Sequence, residues 1–350
     1  MKRIFSLFLA AALALALLAG CGTNTQSAAS DGAAKKLSIV TTTFPEYDWV
    51  MNILGERAAD VEVTMLLDSG VDLHSYQPTV DDIVKLSACD LFLYVGGESD
   101  EWVDDALAEA TNENMVVLKL LDVLGDSVKE EELVEGMEHD HDHDHDEDHD
   151  HEEDHEHEDD HDEGHDHDEE EPKYDEHVWL SLKNAASLCQ TIADALAQMD
   201  PGHAEAYRAN AAAYIEKLSA LDAEYRAAVD AAPVRTLLFG DRFPFRYLVD
   251  DYGLNYYAAF AGCSAETEAS FETIVFLADK ADELDLKAIC QIESADGSIA
   301  RTIRENTQSK DQEILTFDSL QSTTSRDAAA GAGYLSIMEQ NLAVLKAALG

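Results

Sequence analysis

Positive charge is the scarcest feature of this chain. Lys and Arg total 23 against 73 Asp and Glu, for a formal net charge of -50 over 350 residues. Nucleic acid is excluded as a partner, because binding it takes clustered Lys and Arg on one face. A field of this sign favours a cation instead. Cysteine is nearly as sparse, with five residues and no C-x-x-C spacing, so neither a thiolate zinc knot nor a redox pair is indicated. Cys89, Cys189, Cys263 and Cys290 sit among apolar or small residues and read as buried thiols. Cys263, in Ala-Gly-Cys-Ser-Ala, is the least sheltered of them, and one disulfide stays open in an oxidising compartment. The leading apolar run, Ile4 to Leu18, falls short of the roughly 20 residues that span a bilayer.

That run, preceded by Lys2 and Arg3, reads as a targeting segment over residues 1–20. Its ending, Leu18-Ala19-Gly20-Cys21, resembles a bacterial lipobox, which implies cleavage before Cys21 and lipidation of its thiol. Residues 21–36, rich in Ser, Thr, Ala and Gly, read as a flexible tether. The expected location is therefore outside the cytoplasmic membrane, anchored by lipid.

Histidine is concentrated in one place. Glu138 to Glu171 holds 11 of the 14 histidines and 22 acids, with no Lys or Arg and a single Gly164. With nothing apolar to bury, residues 138–172 are expected to be disordered. Imidazole and carboxylate at this density are the ligands first-row divalent metals accept, so the tract reads as a metal-collecting loop. His151-Glu152-x-x-His155 and His157-Glu158-x-x-His161 match the zincin pattern, but a His/acid tract yields such matches by chance and its repulsion opposes the required helix.

The remainder alternates short β-branched runs with helical patterns. Strands are expected at Leu37–Thr42, Val61–Leu67, Leu91–Tyr94 and Met115–Leu118, with helices at Tyr47–Leu54, Thr79–Ala88 and Trp102–Ala110. After the tract, Lys183–Met199 reads as a helix that Pro201-Gly202 breaks. A second helix follows to Ala231, with Tyr207, Ala211, Tyr214, Leu218, Leu221 and Tyr225 forming an apolar stripe. Such a helix is longer than one small lobe needs and suits a rigid strut between two; His203 at its start reads as an exposed first-turn residue. Strands then recur at Thr236–Phe239, Asn255–Ala259, Leu286–Ile292 and Glu313–Phe317, and an amphipathic helix from Tyr334 to Leu349 closes the chain. The expected fold is α/β: two doubly wound parallel-sheet lobes joined by the long helix. The first lobe takes residues 37–137 and 173–200, the linking helix 201–231, and the second lobe 232–350.

Five stretches carry a resemblance: Pro45-x-Tyr47, Gly70-Val71-Asp72-Leu73-His74-Ser75-Tyr76-Gln77-Pro78-Thr79, Cys89-Asp90-Leu91, Glu176-His177-Val178-Trp179-Leu180-Ser181 and the closing helix. Together they resemble the zinc/manganese substrate-binding proteins of bacterial ABC importers, and a His-rich insertion between the two histidine motifs is similar to the zinc-specific branch. The resemblance implies a metal held in the cleft between lobes by His74 and His177 of the first lobe. It also implies a second-lobe carboxylate, carried onto Asp318 in Thr316-Phe317-Asp318-Ser319-Leu320. The family's remaining ligand, a His or Glu, falls on Arg242, which has no lone pair to offer. Either Asp241 takes over by a small shift, or water or a carboxylate closes the site, or Asp241 and Arg242 pair and order their loop. Glu293 resembles a family position beside the site and is expected to support an imidazole.

These readings converge on a lipid-anchored receptor that captures Zn²⁺ and delivers it to an ABC importer permease, a monomer and not an enzyme. Two imidazoles with carboxylate oxygen suit zinc better than the all-oxygen sets of Ca²⁺ or Mg²⁺, with Mn²⁺ the competing ion. The tract favours Zn²⁺, which imidazole generally binds more tightly than Mn²⁺. The rival readings are a Mn²⁺ receptor of the same family, a secreted metallohydrolase, and a zinc buffer without an importer. No zincin motif or strong nucleophile stands in the foldable parts to support the hydrolase.

Overall fold

In the first half, β1 (Ser38–Thr41) leads into α1 (Phe44–Leu54), which Thr43 opens as a capping box with Glu46 and with Pro45 in the first turn. Then follow β2 (Glu62–Met65), α2 (Val80–Ala88), β3 (Leu91–Tyr94), α3 (Trp102–Ala108), β4 (Val116–Lys119) and α4 (Leu120–Leu124). The computed structural model describes residues 36–137, 173–264 and 268–350. The leader, Cys21, most of the tether and the acidic histidine tract lie outside the described residues. Strand β3 is buried at every position, as expected of a parallel strand covered on both faces.

The second half repeats the scheme with β5 (Thr236–Phe243), α7 (Arg246–Tyr252), β6 (Asn255–Ala261), α8 (Phe271–Glu283), β7 (Ala288–Ile292), α9 (Ser298–Asn306) and β8 (Glu313–Phe317). Between the halves stand α5 (Leu182–Met199) and α6 (Ala204–Ala231); α10 (Ser325–Ala329) and α11 (Tyr334–Leu349) end the chain. Both sheets are parallel, in the orders β2-β1-β3-β4 and β6-β5-β7-β8. In each, strand order reverses beside the first strand of the half, and ligands of doubly wound sheets bind at the carboxyl edge of that crevice. The two-lobed α/β reading of the sequence is therefore the observed fold.

One strand is longer than its pattern suggested. β5 runs on to Phe243, past Phe239, through a register break between Phe239 and Arg242. The ladder to β7 consists of the single pair Phe239–Cys290, and Asp241 Oδ2 accepts the Ile292 amide at 3.0 Å in place of a strand carbonyl. Asp241 and Arg242, expected in a loop, thus lie in a bulged strand end held by a side chain.

Helix α6 ties the halves together. Its buried stripe is Tyr207, Ala211, Tyr214, Leu218, Leu221, Tyr225 and Val229. Toward its start, Asn210 Nδ2 donates to the Ile53 carbonyl at 3.0 Å and Tyr214 Oη to Asp48 at 3.1 Å, both in α1. Toward its end, Tyr225 Oη donates to the Met338 carbonyl in α11 at 2.6 Å. Tyr334, at the head of α11, reaches back to the first half: it packs edge-on against Trp49 at 5.3 Å and donates to the Trp179 carbonyl at 2.6 Å. Leu37–Gly350 accordingly closes into one unit with a core continuous across both halves. His203 bonds Asp200 just before α6 and is remote in role from the histidine pair.

Behind the end of β1, Glu46 is fully buried. Its Oε2 accepts the Thr42 amide, the Thr42 hydroxyl and the Thr43 amide at 2.8–3.0 Å, while Oε1 has no partner among the described residues. Burial, opposed by the Thr43 amide and reinforced by Asp100, pushes this carboxyl up to about 8. A folded-state value above the unfolded one means the neutral acid is favoured by folding, so this group's contribution falls as pH rises from the ordinary carboxylate range through about 8. Glu46→Gln, with no proton to lose, is expected to remove that decline, on the order of a few kcal/mol of relative stability between pH 5 and 8.5. Denaturant melts of both proteins across that range check it; parallel declines would show that Glu46 does not carry the effect.

Candidate metal centre

His74 lies in a short 3-10 turn, Leu73–Ser75, on the long connection after β2. Asp72 opens that turn, accepting the His74 amide through Oδ1 at 3.0 Å. His177 precedes a second such turn, Val178–Leu180, and its amide donates to Asp175 Oδ1 at 2.8 Å. The same D-x-H device orients both histidines. Although 103 positions apart, their Nε2 atoms stand 3.1 Å from each other.

The other ring nitrogen of each histidine is also held. His177 Nδ1 lies 2.9 Å from Asp175 Oδ1, and since a carboxylate accepts, that nitrogen carries the proton. His74 Nδ1 lies 2.8 Å from Ser99 Oγ and 3.4 Å from Glu176 Oε2, a carboxyl that burial raises above its ordinary value. Glu176 is fixed in turn by the Ser99 amide at 2.8 Å. Gly97 (φ 87°) makes room for it, because a Cβ there would fall 2.4 Å from Glu176 Oε1. In the tautomer with both Nδ1 atoms protonated, two Nε2 lone pairs face one another across a gap that one cation can bridge.

Burial and the neighbouring His177 push His74 down to about 3, so it stays neutral. His177 is also fully buried, yet Asp175 overcomes that cost and holds its pKa above the ordinary histidine value. A single proton in the pair therefore belongs to His177.

A third donor joins from the second lobe. Among the described residues, His74, His177 and Cys263 form a group whose donor atoms all lie within 4.8 Å of one another. Cys263 follows β6 at the carboxyl edge, its amide donating to Glu131 at 3.1 Å. Burial pushes its thiol up, so without a metal it stays protonated. Neighbouring Gly262 passes so close that a Cβ would come 3.2 Å from His177 Cε1. A cavity of about 180 Å³ opens beside His74 and Cys263, lined also by Ser99 and Glu176. The sequence marks Cys263 as the least sheltered of four buried-type thiols, and it is the one only partly buried here; its position just past a strand's carboxyl end was the further signal of a ligand role. The four folded cysteines are free thiols.

The two carboxylates named from the sequence lie outside that donor group. Asp318 begins the turn after β8; its Oδ1 accepts the Leu320 amide at 2.8 Å, and burial with nearby Glu293 pushes it up to about 6. The adjoining Ser319 carbonyl accepts Trp179 Nε1–H at 2.8 Å, which holds the Asp318 turn against the His177 segment. Asp241 uses both oxygens on amides, Oδ1 on Arg242 at 2.8 Å and Oδ2 on Ile292. Glu293 does not support an imidazole. It clamps the Asp318 turn instead, accepting the Ser319 amide and the Ser319 and Ser322 hydroxyls at 2.8–3.0 Å, while Asp175, Ser99 and Glu176 do the work expected of it.

The Arg242 guanidinium does not pair with Asp241. Its Nη2 crosses to the first lobe and donates to Asp72 Oδ2 at 2.7 Å, beside a cavity of about 350 Å³ lined by His74, Asp241 and Ser294. Burial would raise the Asp72 carboxyl, but Arg242 holds it below its usual range. The pair is about four-fifths shielded on both sides. Its contribution is present above the ordinary Asp value and lost as pH falls through the depressed one. Arg242→Ala is expected to cost about 1–2 kcal/mol near neutral pH and less near pH 3. Urea titrations at the two pH values check this; an equal cost at both would mean the loss is packing.

Two doubly wound lobes, a helix fastened to both, and donor atoms converging at the carboxyl edges define a bilobal binding protein with a centre suited to a small cation. Residues 39–348 match the family model described as zinc-uptake complex component A, periplasmic (ZnuA), and the chain belongs to that family. It is 33% identical over 348 residues to the zinc-binding lipoprotein AdcA of Streptococcus pneumoniae serotype 4, covering 99% of this chain and 61% of that protein. It is 30% identical over 348 residues to the high-affinity zinc uptake system protein ZnuA of Bacillus subtilis, covering 99% and 98%. Against the streptococcal AdcA proteins the chain spans 56–61% of their length. Its fold matches the crystal structure of the Zn(II)-bound ZnuA-like domain of S. pneumoniae AdcA with a TM-score of 0.65 at 27% identity, covering 90% of this chain and 99% of that one. Among the described residues no helix is long and apolar enough to cross a membrane.

Proposed function

We propose that this protein is an extracytoplasmic receptor that binds Zn²⁺ between its lobes and hands it to an ABC-type importer permease, without catalysing a reaction. The observation that carries the reading is the 3.1 Å approach of His74 Nε2 and His177 Nε2, with each Nδ1 beside a carboxylate. That separation is close to the spacing of two nitrogens on one tetrahedral zinc with Zn–N bonds of about 2.0–2.1 Å. Asp318 is the second-lobe carboxylate that approaches the ion as the cleft tightens, carried by the turn that Trp179 and Glu293 hold. Asp241 stays a strand lock unless it gives up one of its two amides. The names of the pneumococcal and B. subtilis relatives support zinc as cargo, and the word lipoprotein in the former supports a lipid on Cys21. The reading takes the receptor as a monomer.

The acidic histidine tract adds a second tier in this reading, holding zinc weakly through its imidazoles and carboxylates. His74→Ala removes one of the two nitrogen donors. It is expected to abolish the single tight zinc equivalent and the zinc-dependent rise in melting temperature, leaving the weak sites of the tract. Metal analysis after dialysis against a weak chelator measures this. A stoichiometric tight zinc in the variant would end the reading.

Proton competition gives an independent check. Because His177 titrates above the ordinary histidine value, zinc capture is expected to fade as pH falls through that raised value, nearer neutrality than an unperturbed imidazole would dictate. Asp175→Asn removes the charge that raises it. Zinc affinity at pH 7.5 is then expected to fall by about 10–100-fold while the pH midpoint of capture moves down. Competition titrations with a chromophoric chelator between pH 5 and 8 report both; an unmoved midpoint would show that Asp175 does not govern the proton.

A further inference from the structure

We propose that Cys263 is a thiolate ligand of the cleft metal and the residue that biases the site toward soft, thiophilic dications over manganese. The inference rests on the zinc-receptor reading and deepens it by naming a sulfur donor that the second lobe supplies besides the Asp318 carboxylate. Three observations carry it independently of one another. Cys263 is the residue whose donor atom joins the two facing Nε2 atoms within 4.8 Å. The neighbouring backbone is pressed against the His177 ring, where a Cβ on Gly262 would come within 3.2 Å of Cε1, so the loop after β6 is seated at the imidazole pair. A small cavity shared by His74 and Cys263 lets an ion reach both.

The β5 side of the cleft offers no comparable donor. Arg242 presents a guanidinium committed to Asp72, and Asp241 has both oxygens bonded to amides. The centre is thus two imidazole nitrogens and one sulfur, with a further position open to a carboxylate or water. On binding, the Zn–S bond forms as the thiol S–H bond breaks and its proton leaves to solvent; no oxidation state changes. Thiolate is a soft ligand that zinc accepts readily, whereas manganese stands at the weak end of the divalent series and suits oxygen donors. One sulfur at this position therefore raises zinc affinity far more than manganese affinity.

The test uses the full chain under reducing conditions, loaded with Co²⁺ as a spectroscopic stand-in for zinc. The parent protein is expected to show a near-ultraviolet thiolate-to-cobalt charge-transfer band saturating at one equivalent. Cys263→Ser is expected to lose that band and to lower zinc affinity by more than about tenfold, with manganese affinity changed by less than about threefold. Cys263→Ala, read alongside thermal melts, separates ligand loss from misfolding. The tract contributes no thiol and cannot produce the band. A four-coordinate visible cobalt spectrum that His74→Ala abolishes, without the charge-transfer band in the parent, would overturn the thiolate and leave the receptor reading standing. Tight metal retained in His74→Ala would overturn the receptor reading itself. A band that survives Cys263→Ser would place the thiolate on another cysteine and sink the inference.

Discussion

Two imidazole lone pairs directed at one another inside a protein are an unfavourable arrangement unless something positive lies between them. His74 and His177 are held in that arrangement from behind: Asp175 fixes one ring, and Ser99 with Glu176 fixes the other. Neither ring can turn away without abandoning a hydrogen bond in a buried setting. The glycine that lets Glu176 approach, the two D-x-H turns, and the Trp179 contact to the Asp318 turn all serve to hold this pair in place. The rest of the fold is a means of bringing segments a hundred residues apart to one edge.

That edge arises from repetition. Each half builds a parallel four-stranded sheet whose strand order reverses beside its first strand. Loops after β2 and β3 and the segment before α5 bring Asp72, His74, Ser99 and His177; loops and strand ends after β5, β6 and β8 bring Arg242, Cys263 and Asp318. Helix α6 is anchored to α1 at its start and to α11 toward its end, so the two edges share one frame. The cross-lobe ion pair of Arg242 with Asp72 adds a second tie. Asp72 also caps the His74 turn, which couples the position of the second lobe to the orientation of a donor histidine.

Much of this was legible in the residues alone, and the boundary of legibility has a physical cause. Strand and helix periods are local, so the alternation of elements, the long stripe of α6 and the two sheets could all be read in order. His74 and His177 have no local relation; only their motifs, taken together, paired them. Asp175 was visible as the residue two before His177 but carried no mark of its role. Cys263 and the Arg242–Asp72 pair were illegible, because each depends on a contact between lobes that no periodicity encodes. β5 ran past its apolar stretch because Asp241 substitutes a side-chain acceptor for a ladder carbonyl, an exchange that hydrophobic pattern does not record. The chemistry of the leader and of the histidine tract lies outside the described residues and rests on composition.

The distribution of charge explains why a dication suits this pocket better than a proton does. Asp175 and Glu176 place two carboxylates behind the imidazoles, and Glu176 Oε2 is buried with no hydrogen bond among the described residues, His74 Nδ1 standing 3.4 Å away. A proton on His177 answers Asp175 first and Glu176 and Asp72 after it, while His74 is held neutral by its burial and by its neighbour. In the proposed reading, one dication on the two Nε2 atoms would polarise both rings at once, strengthening their Nδ1–H groups toward the carboxylates behind them. Arg242 is the one guanidinium lining the cavity beside His74, and it would oppose that charge were it not paired with Asp72. Pairing it with the Asp72 carboxylate offsets part of that repulsion, although Arg242 still disfavours positive charge on His74. An arginine at the position where the family resemblance implied a ligand is thus reconciled with the proposed cation site by its ion pair with Asp72 across the lobes.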